Sequence, residues 1–312
     1  MMDKPQGISD SDVRQALTAG WGITNPSMVY LPVGAGGYHW SATGDDGRAW
    51  FVTVSDLSRS SLGQLRAAFG TAHALRHDAG LGFVVAPVLA ADGTTAVPLG
   101  DRYALSVFPL VPGTAGRFGR HAPADREPVL RLLAELHEAT PHAPAGVPRA
   151  DLVLPGRAGL EDALASAGTP WTGGVYSEDA RALLAGSAEK VRDWLGTFDR
   201  LVAEVRAGSA GWVVTHGEPH PGNLIRGTDG FHLIDWDTVQ LAPRERDLWM
   251  VDGDHAAYTA ITGHEPGPSA LALYRQWWDL ADIAIYATEL RAPHTDTEDT
   301  RATLTYLTRY LS

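Results

Sequence analysis

The segment THGEPHPGNLI, residues 215–225, collects side chains that can do chemistry. A histidine (His216), a carboxylate (Glu218) and an amide (Asn223) stand among two prolines and two glycines, directly after the apolar run Trp212-Val213-Val214. A second carboxylate, Asp235, follows in GNLIRGTDGFHLIDWD, where Leu224-Ile225 and Leu233-Ile234 flank the turn GTDG. Apolar pairs on either side of such a turn predict a β-hairpin. With Arg226 opposite Phe231, Asn223 lies across from Ile234 and beside Asp235, since directly opposed antiparallel residues are about 5 Å apart at Cβ. The hairpin base therefore gathers Asn223 and Asp235, and the preceding loop brings Glu218. Two carboxylates and an amide oxygen suit a hard cation such as Mg²⁺, which takes few protein oxygens and completes its shell with phosphates and water.

Local reasons compete with this reading, because Asn, Asp and Gly are common turn residues in their own right. The histidines His216, His220 and His232 do not make a metal site of their own: the spacing of the first two falls in a proline-broken loop, without the helical frame such ligands use.

The elements that must position these residues fall into two regions. In the first hundred residues, short apolar runs alternate with glycine-rich turns, predicting strands at 28–33, 38–42 and 49–54, joined by turns at 34–37 and 44–47. A helix is expected over 61–79, with Leu62, Leu65, Phe69 and Ala72 on one face. The apolar runs FVVAPVLA and YALSVFPLV would add two strands, giving a five-stranded, largely antiparallel sheet with one helix. Beyond PGTAG the character changes. Helices are expected over 126–139, over 177–207 as one long or two short pieces opening at the Ser177-Glu178 capping signal, and over 270–291 and 297–311. The expected organisation is an N-terminal β-rich lobe at 1–106, a hinge at 107–116 and a helical C-terminal lobe at 117–312. No internal repeat is visible.

Composition narrows the function. With 44% apolar and 20% charged residues, the 312-residue chain reads as an ordinary soluble globular protein large enough to bury a sizeable core. A formal charge of −12 argues against a nucleic-acid partner and would suit a cationic small molecule. The absence of cysteine excludes disulfides and thiol chemistry. No run of eighteen apolar residues and no leader-like apolar stretch near the N-terminus is present, so a membrane role is not expected and a cytoplasmic location follows by default. Oligomeric state cannot be read from the sequence.

HGEPHPGN followed twelve residues after its asparagine by Asp235 of IDWD resembles the aminoglycoside phosphotransferase and choline kinase-like family, a branch of the protein kinase-like fold. That family carries H-G-D-x-x-x-x-N and then a hairpin ending in I-D-W-[DE]. The acid-to-asparagine spacing of five is also that of the kinase catalytic loop. LAPRERDLW and LLAELH are similar to the family's flanking segments, and LAPRERDL with YRQWWDLADIAIY comes closest to the spectinomycin phosphotransferase type. The resemblance is strong over 130–292 and weak before 100. It implies an α+β, two-lobed kinase-like fold with a small antiparallel sheet and a larger helical lobe. It further implies ATP or GTP as phosphoryl donor, Mg²⁺ on Asn223 and Asp235, and Glu218 as the base, with His216 bracing the loop. Gly34, Gly36 and Gly37 would cover the phosphates. Main-chain groups near Phe108 and Leu110 would meet the adenine, and position 53 would face the phosphates. The acceptor would be a hydroxyl of a small molecule of aminocyclitol or natural-product type, and Asp252, Asp254 and Glu265 lie where the family binds it.

Two positions depart from the family. Glu218 stands where it has aspartate, which keeps the carboxylate but lengthens it by one methylene, and misplacement of about 1 Å can cost about 10²-fold in rate. Thr53 stands where a strand lysine reaches the phosphates and pairs with a helix glutamate. The chain has only two lysines, Lys4 and Lys190, and the following helix has no acid before Asp78. Both halves of the ion pair are missing together, leaving Arg48, Arg66 and Arg76 as candidate substitutes. An alternative reading therefore stays open: a catalytically impaired kinase-fold protein that binds a nucleotide, metabolite or partner, or a kinase fold turned to other chemistry.

Overall fold

The computed structural model describes residues 4–34, 36–58, 60–208 and 211–312. The chain divides into two compact units, one formed by residues 1–150 with 211–265 and the other by 151–210 with 266–312.

The first unit opens with a helix absent from the expectations above, α1 (Asp10–Trp21), started by a capping box in which Ser9 and Asp12 satisfy each other's backbone N–H. Strands β1 (Ser27–Leu31), β2 (Gly37–Thr43) and β3 (Ala49–Asp56) follow, then α2 (Leu62–His77), β4 (Val97–Leu99) and β5 (Tyr103–Pro109). They form one antiparallel sheet in the order β1-β2-β3-β5-β4. Alternation divides its two faces. Trp40, Ala42, Val52, Val54, Leu105 and Val107 pack with Val13 and Leu17 of α1, and the Trp40 indole N–H donates to Asp10 at 3.0 Å. The opposite face carries Phe108, which meets Phe69 of α2 edge-on at 5.3 Å.

One expected strand is displaced. Residues 83–90 do not join the sheet; the fourth strand is β4, which lies between the two apolar runs expected to be strands. Pro87 interrupts the apolar run, and its backbone bonds go elsewhere: Val85 N–H to Leu233 C=O at 3.0 Å and Val88 N–H to Val107 C=O at 2.8 Å.

Next come β6 (Thr114–Ala115) and α3 (Pro123–Glu138), then α4 (Arg157–Ala165), α5 (Ser177–Gly186) and α6 (Ala188–Ala207) of the second unit. The chain returns to the first unit with β7 (Val213–Thr215), β8 (Leu224–Arg226), β9 (Phe231–Leu233), β10 (Gln240–Ala242), α7 (Glu245–Leu248) and α8 (Ala256–Thr262). It ends in the second unit with α9 (Pro268–Arg291) and α10 (Glu298–Leu311). Within that unit α9 is the central element, packed by α4, α5, α6 and α10. Among the described residues no helix is long and apolar enough to cross a membrane.

Candidate active site

Strand β7 delivers the loop. It pairs antiparallel with β10, Thr215 opposite Gln240, and the chain then turns sharply at Gly217, whose φ of 100° disfavours any side chain. A Cβ there would run into the Arg246 guanidinium, which donates to Thr215 Oγ1 at 2.9 Å and to Thr238 C=O at 2.8 Å.

His216 is fully buried, and both ring nitrogens are committed to the backbone. Nε2–H donates to Ile234 C=O at 2.8 Å and Nδ1 accepts Glu218 N–H at 3.2 Å, while the ring stands edge-on to Trp236 at 4.7 Å. Burial pushes its pKa down to about 4, despite the nearby Asp247 charge that works the other way. A neutral imidazole with no spare nitrogen is a brace. It joins the loop bearing Glu218 to the residue just before Asp235.

Beneath the loop lies Asp247, a residue that sequence reasoning passed over. Its carboxylate accepts His216 N–H at 2.9 Å, Gly217 N–H at 2.6 Å and His137 Nε2–H at 3.0 Å; His137 Nδ1 in turn accepts from Tyr258 OH at 2.7 Å. Burial alone would raise its pKa, but the His137 hydrogen bond and the Arg246 charge hold it below the usual range. The motif LAPRERDLW contained this aspartate, yet nothing in its local pattern signals a buried anion.

The hairpin forms in the expected register. Arg226 faces Phe231, Leu224 faces Leu233, and Ile234 N–H donates to Asn223 C=O at 3.0 Å. Asn223 is buried, and its amide NH₂ donates to Glu218 C=O at 3.0 Å, which leaves its oxygen for another partner. Asp235 sits in the left-handed region at φ 68°, a conformation that is costly for a residue with a Cβ. The Trp236 indole N–H, donating to Leu233 C=O at 2.9 Å, pins the turn behind it. The displaced run 83–90 holds the hairpin from the other side, with Leu233 N–H donating to Phe83 C=O at 2.8 Å.

Asp235 keeps solvent-exposed surface, yet the protein packed around its carboxyl raises its pKa. Asp237, the second acid of IDWD, is raised further, by burial first and then by the charges of Asp235 and Glu218. Three carboxylates thus share one neighbourhood, and Asp237 is the one the sequence reading left out. Among the described residues no group of three or more His, Asp or Glu side chains is arranged to hold a metal by itself. Mg²⁺ bound to a nucleotide needs less: one carboxylate and one amide oxygen beside phosphates suffice, and an Asp235 carboxyl raised by burial, with an Asn223 oxygen left without a partner among the described residues at the same hairpin base, fits that chemistry.

The expected nucleotide-binding residues lie on the sheet and in the segments that join its strands. Gly34 and Gly36 have positive φ (71° and 103°), while Ala35 between them falls outside the described residues. Thr53 is on β3 with its Oγ1 3.2 Å from His39 Nδ1. Phe108 is buried, and Leu110 is exposed with its N–H given to Ala49 C=O at 3.3 Å. None of the three arginines reaches position 53. Arg48 pairs with Asp46, Arg66 donates to Ala96 C=O and Thr94, and Arg76 donates to Leu81 and Gly82 carbonyls. Of the acids expected near the acceptor, Asp252 pairs with Arg120 at 3.5 Å, Asp254 caps Ala256 N–H, and Glu265 is exposed.

Comparison with known proteins converges on one group. The sequence pattern of the family described as "Phosphotransferase enzyme family" matches residues 30–288. Protein StrN of Streptomyces griseus is 30% identical over 301 residues, covering 92% of this chain and 86% of StrN. Spectinomycin phosphotransferase, in complex with ADP and spectinomycin, superposes with a TM-score of 0.78 at 16% identity, covering 97% of this chain and 95% of the other. The microcompartment-associated aminopropanol kinase does so with a TM-score of 0.67 at 17% identity, over 97% and 95%. The expected α+β fold, with its five-stranded antiparallel sheet, is the fold these kinases share.

Proposed function

The chain belongs to the phosphotransferase enzyme family, and on that footing we propose that it transfers the γ-phosphoryl group of ATP or GTP to a hydroxyl of a small molecule. The observation that carries this reading is the hairpin base, where Asn223 gives its amide N–H to Glu218 C=O and takes the backbone N–H of Ile234, the residue just before Asp235. Asn223 and Asp235 would hold Mg²⁺, which when bound neutralises charge on the phosphates.

Glu218 would accept the proton of the acceptor hydroxyl as its oxygen bonds to the γ-phosphorus and the bond to the β,γ-bridging oxygen breaks. His216 and Asp247 would hold that loop in place without touching the reacting atoms. The turn carrying Gly34, Gly36 and Gly37 would close over the phosphates, with position 53 beneath. We place the hinge at 107–116. There Pro109 and Pro112 have no N–H and Leu110 has given its own to Ala49, so Val111 N–H would be the one to meet the base ring. The acidic chain and Glu265 suit a cationic acceptor, and a solved relative holds an aminocyclitol, spectinomycin, alongside ADP.

A second reading, nucleotide binding without transfer, draws on Thr53 and on an α2 with no acidic residue to pair a lysine. One experiment separates them. Purified protein is incubated with Mg-ATP and a panel of aminocyclitols and hydroxylated amines, and ADP release and product mass are followed. Acceptor-dependent ADP release with a matching phosphorylated product supports the transferase. Nucleotide binding without transfer to any acceptor selects the second reading, and absence of nucleotide binding overturns both.

A further inference from the structure

The chain lacks the cation with which a kinase-like sheet grips its nucleotide, yet a built polar row occupies the same place. His39 on β2 is the register partner of Thr53 on β3, and Thr53 is the partner of Ser106 on β5. All three alternate with the core residues Trp40, Val52, Val54, Leu105 and Val107, so they share the face that carries Phe108 toward α2.

The His39 ring is fixed on two sides. Its Nδ1 lies 3.2 Å from Thr53 Oγ1, and it stacks on Phe51 at 5.0 Å with an interplanar angle of 28°. Its Nε2 edge lies against the inside of the glycine turn: a Cβ on Gly37 would come within 3.0 Å of Cε1 and 3.2 Å of Nε2, and one on Gly34 within 3.3 Å of Nε2. Those glycines leave the space that the ring fills. At the end of the row the Ser106 hydroxyl is fully buried and finds no hydrogen-bond partner among the described residues.

We propose that His39, oriented by Thr53, is the residue with which this sheet binds the nucleotide phosphates, in place of the missing strand lysine. The proposal rests on the phosphotransferase reading above. Thr53 O–H donates to Nδ1 and fixes the ring proton on Nε2, which points at the turn that covers the phosphates. The same assignment explains why lysine and helix acid are absent together. A buried lysine needs a carboxylate to offset its charge, and α2 has none. The free imidazole is neutral, burial having pushed its pKa down to about 4, so it needs no partner until a phosphate arrives. Arg48, Arg66 and Arg76 are engaged with other groups and leave the position to His39.

The test is calorimetric titration of wild type, His39→Ala, His39→Lys and Thr53→Val with Mg·AMP-PNP and, separately, with adenosine, which lacks phosphates. Hydrogen bonds to charged groups contribute enough that losing one weakens binding about 10- to 100-fold. His39→Ala is expected to lose that much affinity for Mg·AMP-PNP while adenosine affinity changes less than about 3-fold. Thr53→Val should lose less than His39→Ala, again only for the phosphate-bearing ligand, and His39→Lys should not regain wild-type affinity, because α2 supplies no carboxylate to hold the ammonium. Equal loss for both ligands would mark a collapsed sheet and overturn the assignment. So would unchanged Mg·AMP-PNP affinity in both His39→Ala and Thr53→Val. A wild type that binds neither ligand would overturn the phosphotransferase reading itself, whereas a wild type that binds with His39→Ala unaffected sinks only this inference.

Discussion

At the scale of single residues, the candidate site places Glu218, Asp235 and Asp237 close enough for their charges to interact, with burial lifting the two aspartates. Like charges so crowded suit a cation, and Asp235 is the one that shares the hairpin base with Asn223. Asp235→Asn removes the charge and keeps the shape. It should abolish acceptor-dependent ADP release while leaving the thermal midpoint at or above wild type, because a desolvated carboxylate has gone. Glu218→Gln keeps volume and loses basicity, so kcat should fall at least about 10²-fold if Glu218 takes the proton. Glu218→Asp should be tolerated or faster, since it restores the family's side chain. Activity of the Gln variant equal to wild type would remove Glu218 from the role of base.

Among elements, the loop is held by contacts far apart in sequence. Asp247 on α7 receives two N–H groups from the loop and one from His137 on α3. Asp247→Ala would leave three buried donors unmet, and breaking a buried charge network costs about 3–5 kcal/mol. Urea denaturation should show a loss of that size, with activity lost as well. Gly217→Ala combines a positive φ with the Arg246 clash. Strain of about 1–3 kcal/mol is expected, together with a fall in kcat that exceeds what the stability loss explains. The hairpin was legible because its register follows from period-two patterning and one turn, and Asn223 and Asp235 came with it. Asp247, His137 and His39 were not, since each acts through a partner that only the fold brings near: His39 stands fourteen residues from Thr53 and His137 a hundred and ten from Asp247. The run 83–90 has strand composition, but the edge of the sheet pairs with the three-residue β4, and the freed run anchors the hairpin instead. α1 announced itself only by a short capping box, and its role, covering one face of the sheet, needs the sheet to exist first.

Across the whole molecule, buried histidines and buried carboxyls carry proton linkages of opposite sign. In the first unit, burial lowers His39, His216 and His220 to about 4 from 6.5. The unfolded chain binds more protons between those values, so their contribution is fully present above pH 6.5 and is lost as pH falls toward 4. The second unit carries Asp279 on α9, raised to about 6 by burial and by Asp282 one turn on, whose own carboxylate takes the Tyr310 and Tyr286 hydroxyls. A carboxyl whose folded pKa lies above its unfolded value binds its proton more tightly when folded. Stability therefore falls as pH rises from 3.8 to about 6, and the full penalty stands above that. Each pKa unit corresponds to about 1.4 kcal/mol, and with solvent screening at this half-open site the penalty is on the order of 1–2 kcal/mol. Asp279→Asn should raise the urea midpoint at pH 8 and leave it unchanged or slightly lower at pH 4, where the wild-type side chain is already largely protonated on folding. An equal gain at both pH values would mean that the asparagine packs better and that ionisation of Asp279 carries no cost. A gain confined to pH 8 would place a cost of ionisation in the Asp279–Asp282 pair, adding to that of the raised Asp235 and Asp237 and opposite in sign to the cost the buried histidines impose at acid pH.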